Sequence, residues 1–249
     1  MTQPFRLAVL SDIHANYEAL VCVLSDIEAL GIADLVCLGD TIGYGPEPER
    51  CARIILDRHI PSCLGNHEFG LQNRRNRAWF NPQARQALDR TRELLSQDTI
   101  DRLCALPPVL ALGGVRYVHG CPPESPTEYL FNLDDGQLLR RFGLYPEPLC
   151  FAGHTHELAL YSLSGDPSTG TIVRQPLPQG PTILDPAERH ILNIGSVGQP
   201  RDGDNHAKYC VFTPSEHTVE IRFVPYDIAA TAEKIVQAGL PKAYADRLW

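Results

Sequence analysis

Positive charge is scarce in this chain: 22 lysines and arginines stand against 30 aspartates and glutamates, a formal net charge of −8. That balance excludes mechanisms built on broad electrostatic capture of nucleic acid or an anionic membrane and leaves room only for a local basic pocket. No apolar run approaches the roughly 18 residues of a membrane span, and the N-terminal MTQPFRLAVLSD has no basic segment followed by a long apolar one. These absences read as a cytoplasmic protein. Paired CxxC motifs are missing as well. The eight cysteines stand singly in stretches such as ALVCVL and DLVCLGD, the pattern of buried thiols in a reducing compartment.

What is present is a folded chain of 249 residues, 43% hydrophobic and 21% charged. It contains no internal repeat or low-complexity linker where a boundary would fall, so residues 1–249 are expected to form a single domain. FRLAVLSD reads as a strand, YEALVCVLSDIEALG as a helix closed by Gly31, and ADLVCLGD as a second strand. After GYGPEPER come a helical PERCARIILDRH and a third short run, IPSCLGN. The segment from Asn81 to Leu106 predicts two helices capped by Asn81 and Ser96, with Pro82 at a first helical position. This region, about 70–106, is a candidate cap over a site, with a plain packing pair as the alternative. From Val109 the pattern turns β-rich, through VLALGGVRYVHG, LCFAGHTH, LALYSL, GTIVRQPL, RHILNIGS, KYCVFTP and TVEIRFVP, before a helical AATAEKIVQAG.

The polar ends of these runs form a series. SDIH supplies Asp12 and His14, LGD supplies Asp40, GNHE supplies Asn66 and His67, VHG supplies His119, and GHTH supplies His154 and His156. Each lies just after an apolar run, where open α/β sheets place ligands. A lone histidine or a single polar turn is ordinary surface chemistry; five such ends in one chain point to a common site. Carboxylate, imidazole and amide donors without thiolates suit Mn²⁺, Fe, Ni²⁺ or Zn²⁺ rather than a structural zinc. Seven donors can hold two divalent ions when one carboxylate bridges, and Asp40, with no histidine neighbour of its own, is the natural bridge. Two such ions suit phosphoester hydrolysis, because they lower the pKa of a shared water and clamp the phosphoryl oxygens.

Asp-x-His, Gly-Asp, Gly-Asn-His-Glu, His and Gly-His-x-His, in this order, closely resemble the calcineurin-like metallophosphoesterase superfamily over nearly the whole chain. SDIHAN, GDTIGYGP and GSVGQPRDG resemble its compact bacterial branch. The resemblance implies a four-layer αββα sandwich of two mixed β-sheets. It also implies one metal on Asp12, His14, Asp40 and His156 and a second on Asp40, Asn66, His119 and His154. His67 matches the histidine that contacts the phosphate or protonates the leaving oxygen, with direct attack by a metal-bridging hydroxide held at Asp40. Glu68 is expected to orient a neighbour.

Protein Ser/Thr phosphatases of the superfamily carry an Asp and an Arg shortly after Gly-Asp, where this chain reads GDTIGYG. A phosphodiesterase acting on a small phosphorylated substrate, with Mn²⁺ as the first-choice metal, is therefore expected ahead of a phosphomonoesterase or phosphoprotein phosphatase. A metal-bound protein scaffold, like the retromer subunit of this fold, is the non-enzyme alternative. Arg201 in its Gly-rich loop, Asn16 and Tyr44 are substrate-binding candidates. His59, His190, His206 and His217 fall outside the pattern, His206 being the one nearest a motif.

Overall fold

The computed structural model describes residues 4–249. Its strands are β1 (Leu7–Leu10), β2 (Asp34–Cys37), β3 (Val109–Leu112), β4 (Val115–Val118), β5 (Leu149–Ala152), β6 (Leu158–Ser164), β7 (Thr171–Pro176), β8 (Gly180–Ile183), β9 (Arg189–Ile194), β10 (Ala207–Thr213) and β11 (Thr218–Val224). The helices are α1 (Tyr17–Ala29), α2 (Pro48–Asp57), α3 (Asn66–Gln72), α4 (Arg74–Arg77), α5 (Pro82–Glu93), α6 (Gln97–Cys104), α7 (Asp135–Phe142), α8 (Ile228–Gln237) and α9 (Lys242–Asp246).

Two mixed sheets result, ordered β2-β1-β10-β11-β8 and β3-β4-β5-β9-β6-β7. In the first, β1 runs parallel to β2 and antiparallel to β10; in the second, β4, β5 and β9 run parallel, with β6 antiparallel to β9. Strand periodicity explains the layering. Leu7 and Val9 enter a core shared with Tyr117, Phe151, Leu192 and Phe212, which come from both sheets. The alternate residues Ala8 and Leu10 pack outward with Leu20, Val23 and Ile27 of α1. On the far side, Val118, Cys150 and Ile191 of the second sheet meet Leu138 and Phe142 of α7. The layers are thus helix, sheet, sheet, helix, and strands covered on both faces read as continuous apolar runs.

Asn81 and Ser96 cap α5 and α6 as expected, each accepting a backbone N–H on its side-chain oxygen. With α3, these helices bury Leu71, Leu88, Ile100 and Leu103 against Ala52 of α2. Three expectations change. IPSCLGN makes only a single parallel bridge, Cys37 to Ser62, because Pro61 offers no N–H to extend the ladder. GNHE, read as the end of that run, also opens a helix, since Asn66 is the first residue of α3. The β-rich half also contains α7, opened by a reciprocal capping box between Asp134 and Gln137. No described helix is long and apolar enough to cross a membrane. All eight cysteines are free and six are buried; burial pushes the Cys37 and Cys121 thiols up to about 12.

Phe151 is fully buried between the sheets, its ring 5.7 Å from Tyr117 and 5.6 Å from Phe212. Phe151→Ala should destabilise the fold by about 3–5 kcal/mol in urea unfolding, through lost burial and the cavity left behind. A loss below about 1 kcal/mol would show that the inter-sheet core repacks around the gap.

Candidate metal centre

The centre is built where the loops leaving β1, β2, β4 and β5 meet the N-terminus of α3. The expected side chains Asp12, His14, Asp40, His67, His119, His154 and His156 are all buried. What turns them inward is the backbone. Asp12, His14, Ala15, Asp40, Tyr44, His154 and His156 all have φ between 48° and 68°, the left-handed region that costs an L-residue about 1–2 kcal/mol. Ties between the loops offset this cost: the N–H groups of Asp12, His14 and Ala15 donate to Gly39, Asp40 and Thr41 carbonyls at 3.1, 2.9 and 2.9 Å. The glycines preceding Asn66 and His154 permit the approach. A Cβ on Gly65 would lie 2.2 Å from the Asp40 nitrogen, and one on Gly153 1.9 Å from Ser11 Oγ.

Backbone carbonyls orient three of the imidazoles. Nδ1 of His14 bonds Ile42 O at 3.1 Å, that of His119 bonds Leu38 O at 3.1 Å, and that of His156 bonds Gln199 O. With Nδ1–H donating, each Nε2 presents its lone pair inward. His154 is reversed, with Nε2 on Thr127 O at 3.2 Å and Nδ1 left for the centre. The inward atoms crowd together: His14 Nε2 lies 3.0 Å from His156 Nε2, which is 3.1 Å from Asp12 Oδ1. Asp12 Oδ2 accepts from Ser11 Oγ and the His154 N–H at 2.6 and 2.9 Å, while Oδ1 is buried without a hydrogen bond. Two lone pairs and a carboxylate oxygen at such separations repel unless a cation lies among them.

A second group forms across Asp40. Its Oδ1 accepts the His67 N–H at 2.8 Å. Its Oδ2 lies 3.3 Å from His119 Nε2 and 3.7 Å from His14 Nε2, so it faces both groups of residues. Asn66 Oδ1 is 3.1 Å from His119 Nε2. Asp12, His14 and His156, and separately Asp40, His119 and His154, each bring donor atoms within 4.8 Å of one another, a spacing able to hold a metal ion. The charges agree. Against burial, His156 and His119 hold Asp12 well below the usual carboxylate range, and neighbouring imidazoles do the same for Asp40. Burial lowers His154 to about 3 and His156 to about 4, whereas Asp40 and Asp12 overcome burial at His119 and push it up to about 9.

Glu68 locks the frame, its carboxylate accepting the N–H groups of Asp40, Thr41, Ile42 and Gly65 at 2.9, 2.8, 3.3 and 3.1 Å. Burial and nearby Asp40 push its pKa up to about 8 against the pull of those donors. His67 is buried, with Nδ1 unpartnered and Nε2 3.9 Å from Asp40 Oδ2. Burial holds it down to about 3 despite Asp40, which makes it a neutral N–H donor. Tyr44 lies between His14 and His67, with ring centroids 4.6 and 4.4 Å away.

Arg201 is exposed at the rim, its Nη2 donating to Gln199 Oε1 at 2.9 Å and its guanidinium 5.9 Å from the Tyr44 ring. Its loop is anchored from below by the fully buried Lys208, whose ammonium meets Asp202 at 2.8 Å and Asp204 at 3.1 Å. Asn16 is placed differently from the expectation that it meets substrate. It is buried and its amide is committed to the Ala19 N–H, Gly198 O and the Thr231 hydroxyl, so it holds the loop from behind. His206 pairs with Asp204 at 2.9 Å, and His190 bonds Ser162 and Asp185 O.

A cleft of about 280 Å³ opens from Asn66 and His154, walled by Phe69, Trp79 and Phe80 on one side and Thr127 and Tyr129 on the other. None of these wall residues carries a sequence signal, because a ring in a loop has no fixed spacing from the chemistry it faces.

An αββα sandwich with a buried carboxylate–imidazole cluster at its strand ends defines a metal-binding hydrolase. The Calcineurin-like phosphoesterase family matches residues 5–158, and the chain belongs to that family. It is 36% identical over 250 residues to an uncharacterized protein of Methanocaldococcus jannaschii, covering 98% of this chain and 97% of the relative. Among solved structures, a metallophosphoesterase from Sphaerobacter thermophilus is 34% identical with a TM-score of 0.82, covering 99% of this chain and 98% of that one. A hypothetical protein from Pyrococcus horikoshii OT3 shares the fold at 18% identity, with a TM-score of 0.75 and coverage of 98% and 97%.

Divalent metal should raise the melting temperature, by the equivalent of about 2.7 kcal/mol at a hundredfold excess over Kd. The same titration on Asp12→Asn should show most of that shift gone. An unchanged shift in the variant would place the ion elsewhere. Glu68→Ala, which strands four buried N–H groups, should cost about 3 kcal/mol or more in denaturant unfolding.

Proposed function

We propose that this protein is a phosphodiesterase that uses two divalent ions, Mn²⁺ first among them. Asp12, His14, Asp40 and His156 would hold one ion and Asp40, Asn66, His119 and His154 the other. The observation that carries this reading is the position of Asp40 Oδ2, which faces both donor groups from one buried carboxylate. When bound, the pair of ions supplies a water of lowered pKa and neutralises charge on the phosphoryl oxygens.

The chain's own groups divide the remaining work. Glu68 holds the backbone on either side of Asp40, so the bridging carboxylate keeps its direction. His67 is neutral in the resting site and offers an N–H to the ester. A phosphate anion beside it raises its pKa, which lets it pass a proton to the departing oxygen. Arg201 lies at the rim without an ion-pair partner among the described residues and can take a non-bridging phosphoryl oxygen. The preference for a diester is supported by the cleft walls, which are aromatic and amide-bearing with no fixed cation. Beyond the ions and Arg201, the cleft walls carry no positive charge for the extra negative charge of a monoester dianion. The substrate is accordingly a small phosphorylated molecule, and a non-catalytic scaffold has no use for His67 in this position.

Metal-stripped protein reconstituted separately with Mn²⁺, Fe²⁺, Ni²⁺ and Zn²⁺ should hydrolyse bis-p-nitrophenyl phosphate faster than p-nitrophenyl phosphate. Asp40→Asn should abolish turnover, and His67→Ala should lower kcat by about 10²-fold or more while metal content stays the same. A faster monoester reaction would shift the assignment to a phosphomonoesterase. Bound metal without turnover of either ester would favour a binding scaffold.

A further inference from the structure

Four imidazoles of the centre are anchored by a ring nitrogen on a backbone carbonyl; His67 is the exception. Its Nδ1 has no partner, and its Nε2 lies 3.9 Å from Asp40 Oδ2, beyond hydrogen-bond reach. Rings hold it instead. Tyr44 and Phe80 meet it edge-on, with centroids 4.4 and 5.0 Å away and planes 71° and 79° apart, and His14 does the same at 4.9 Å and 75°. The backbone is equally close, since a Cβ on Gly43 would lie 2.0 Å from His67 Nδ1. Edge-to-face contacts are weak singly, so the angle of this imidazole depends on what fixes the rings around it.

Tyr44 sits in a left-handed turn, and beyond the two imidazoles its ring contact is Tyr244 of α9, 4.7 Å away. Tyr244 is buried among Ile235, Leu240 and Leu248 of the α8–α9 segment and Ala87 of α5. Arg90 of α5 donates to Ala238 O at 2.8 Å, which ties that segment to the helix that begins just after Phe80. Both rings that flank His67 are therefore anchored in one packed unit. We propose that Tyr244 is a positioning residue: through Tyr44 it sets the angle at which His67 meets the ester, so the C-terminal helices act on catalysis without supplying a metal ligand. The proposal rests on the reading of His67 as proton donor above. A reacting group displaced by about 1 Å loses up to ~100-fold in rate, and a smaller tilt of the ring should cost ~10-fold.

The test is a double-mutant cycle on the Mn²⁺-loaded, full-length protein with bis-p-nitrophenyl phosphate. Tyr244→Leu, which keeps apolar volume and removes the ring, should lower kcat by ~10-fold with KM and bound metal unchanged. Tyr244→Phe should retain wild-type kcat. Where His67→Ala is already present, Tyr244→Leu should change kcat no further, because the group it positions is gone. Tyr244→Met, which adapts to the same space, serves if the leucine variant does not fold. An unchanged kcat in the ring-less variant, or the same loss with and without His67, would overturn the proposal. A second readout does not need turnover. In metal-free protein, the His67 imidazole signals in nitrogen-15 NMR, assigned by their absence in His67→Ala, should shift in Tyr244→Leu and stay in place in Tyr244→Phe; signals that stay in place in both would overturn the coupling whatever the activity. If His67→Ala alone leaves turnover intact, the proton-donor reading fails and the positioning role fails with it. A His67-dependent enzyme indifferent to Tyr244 rejects only the positioning role.

Discussion

Two buried carboxylates, Asp12 and Asp40, face five buried imidazoles, and the need to balance that charge out of water organises this protein. Isolated buried carboxylates would neutralise or unfold the site. Here each gives one oxygen to backbone or hydroxyl donors and keeps the other for the centre. Three of the imidazoles are fixed by carbonyls from the loop after β2 and from the loop after β9. The loops consequently cannot move independently. Seven left-handed residues persist because the bonds between loops over-determine them.

The sandwich supplies the rigidity that this balance requires. Parallel neighbours β1 and β2 deliver Asp12 and Asp40 side by side, and β4 and β5 deliver His119 and the GHTH loop on the facing sheet. Packing between the sheets holds the two pairs at bonding distance.

Around this rigid centre the surroundings differ in kind. Lys208 and its two aspartates tie down the loop that carries Arg201. The segment from α3 to α5 does two things at once. It packs Leu71 and Leu88 inward against α2 and α6, and it presents Trp79 and Phe80 to the cleft.

Much of the centre was legible in the sequence because each of its corners follows an apolar run, and a strand end is readable from hydrophobic pattern and a following glycine. The caps Asn81 and Ser96 were legible for a similar local reason, the fit of a short polar side chain to an unpaired N–H. Asn66 was legible as chemistry but not as the start of a helix, since Gly-Asn suits a turn and a helix start equally well. Asn16 was misread in the other direction: its loop position is evident, but only the fold supplies Gly198 and Thr231 to occupy its amide. The sequence by itself determined which donor types are available and that they sit at strand ends, because those properties are local. Tertiary structure alone decided that Asp40 faces two groups at once, that His67 is buried and neutral, and that Tyr129 and Trp79 share one cleft. Distances and desolvation between segments tens of residues apart arise only when the sheets pack.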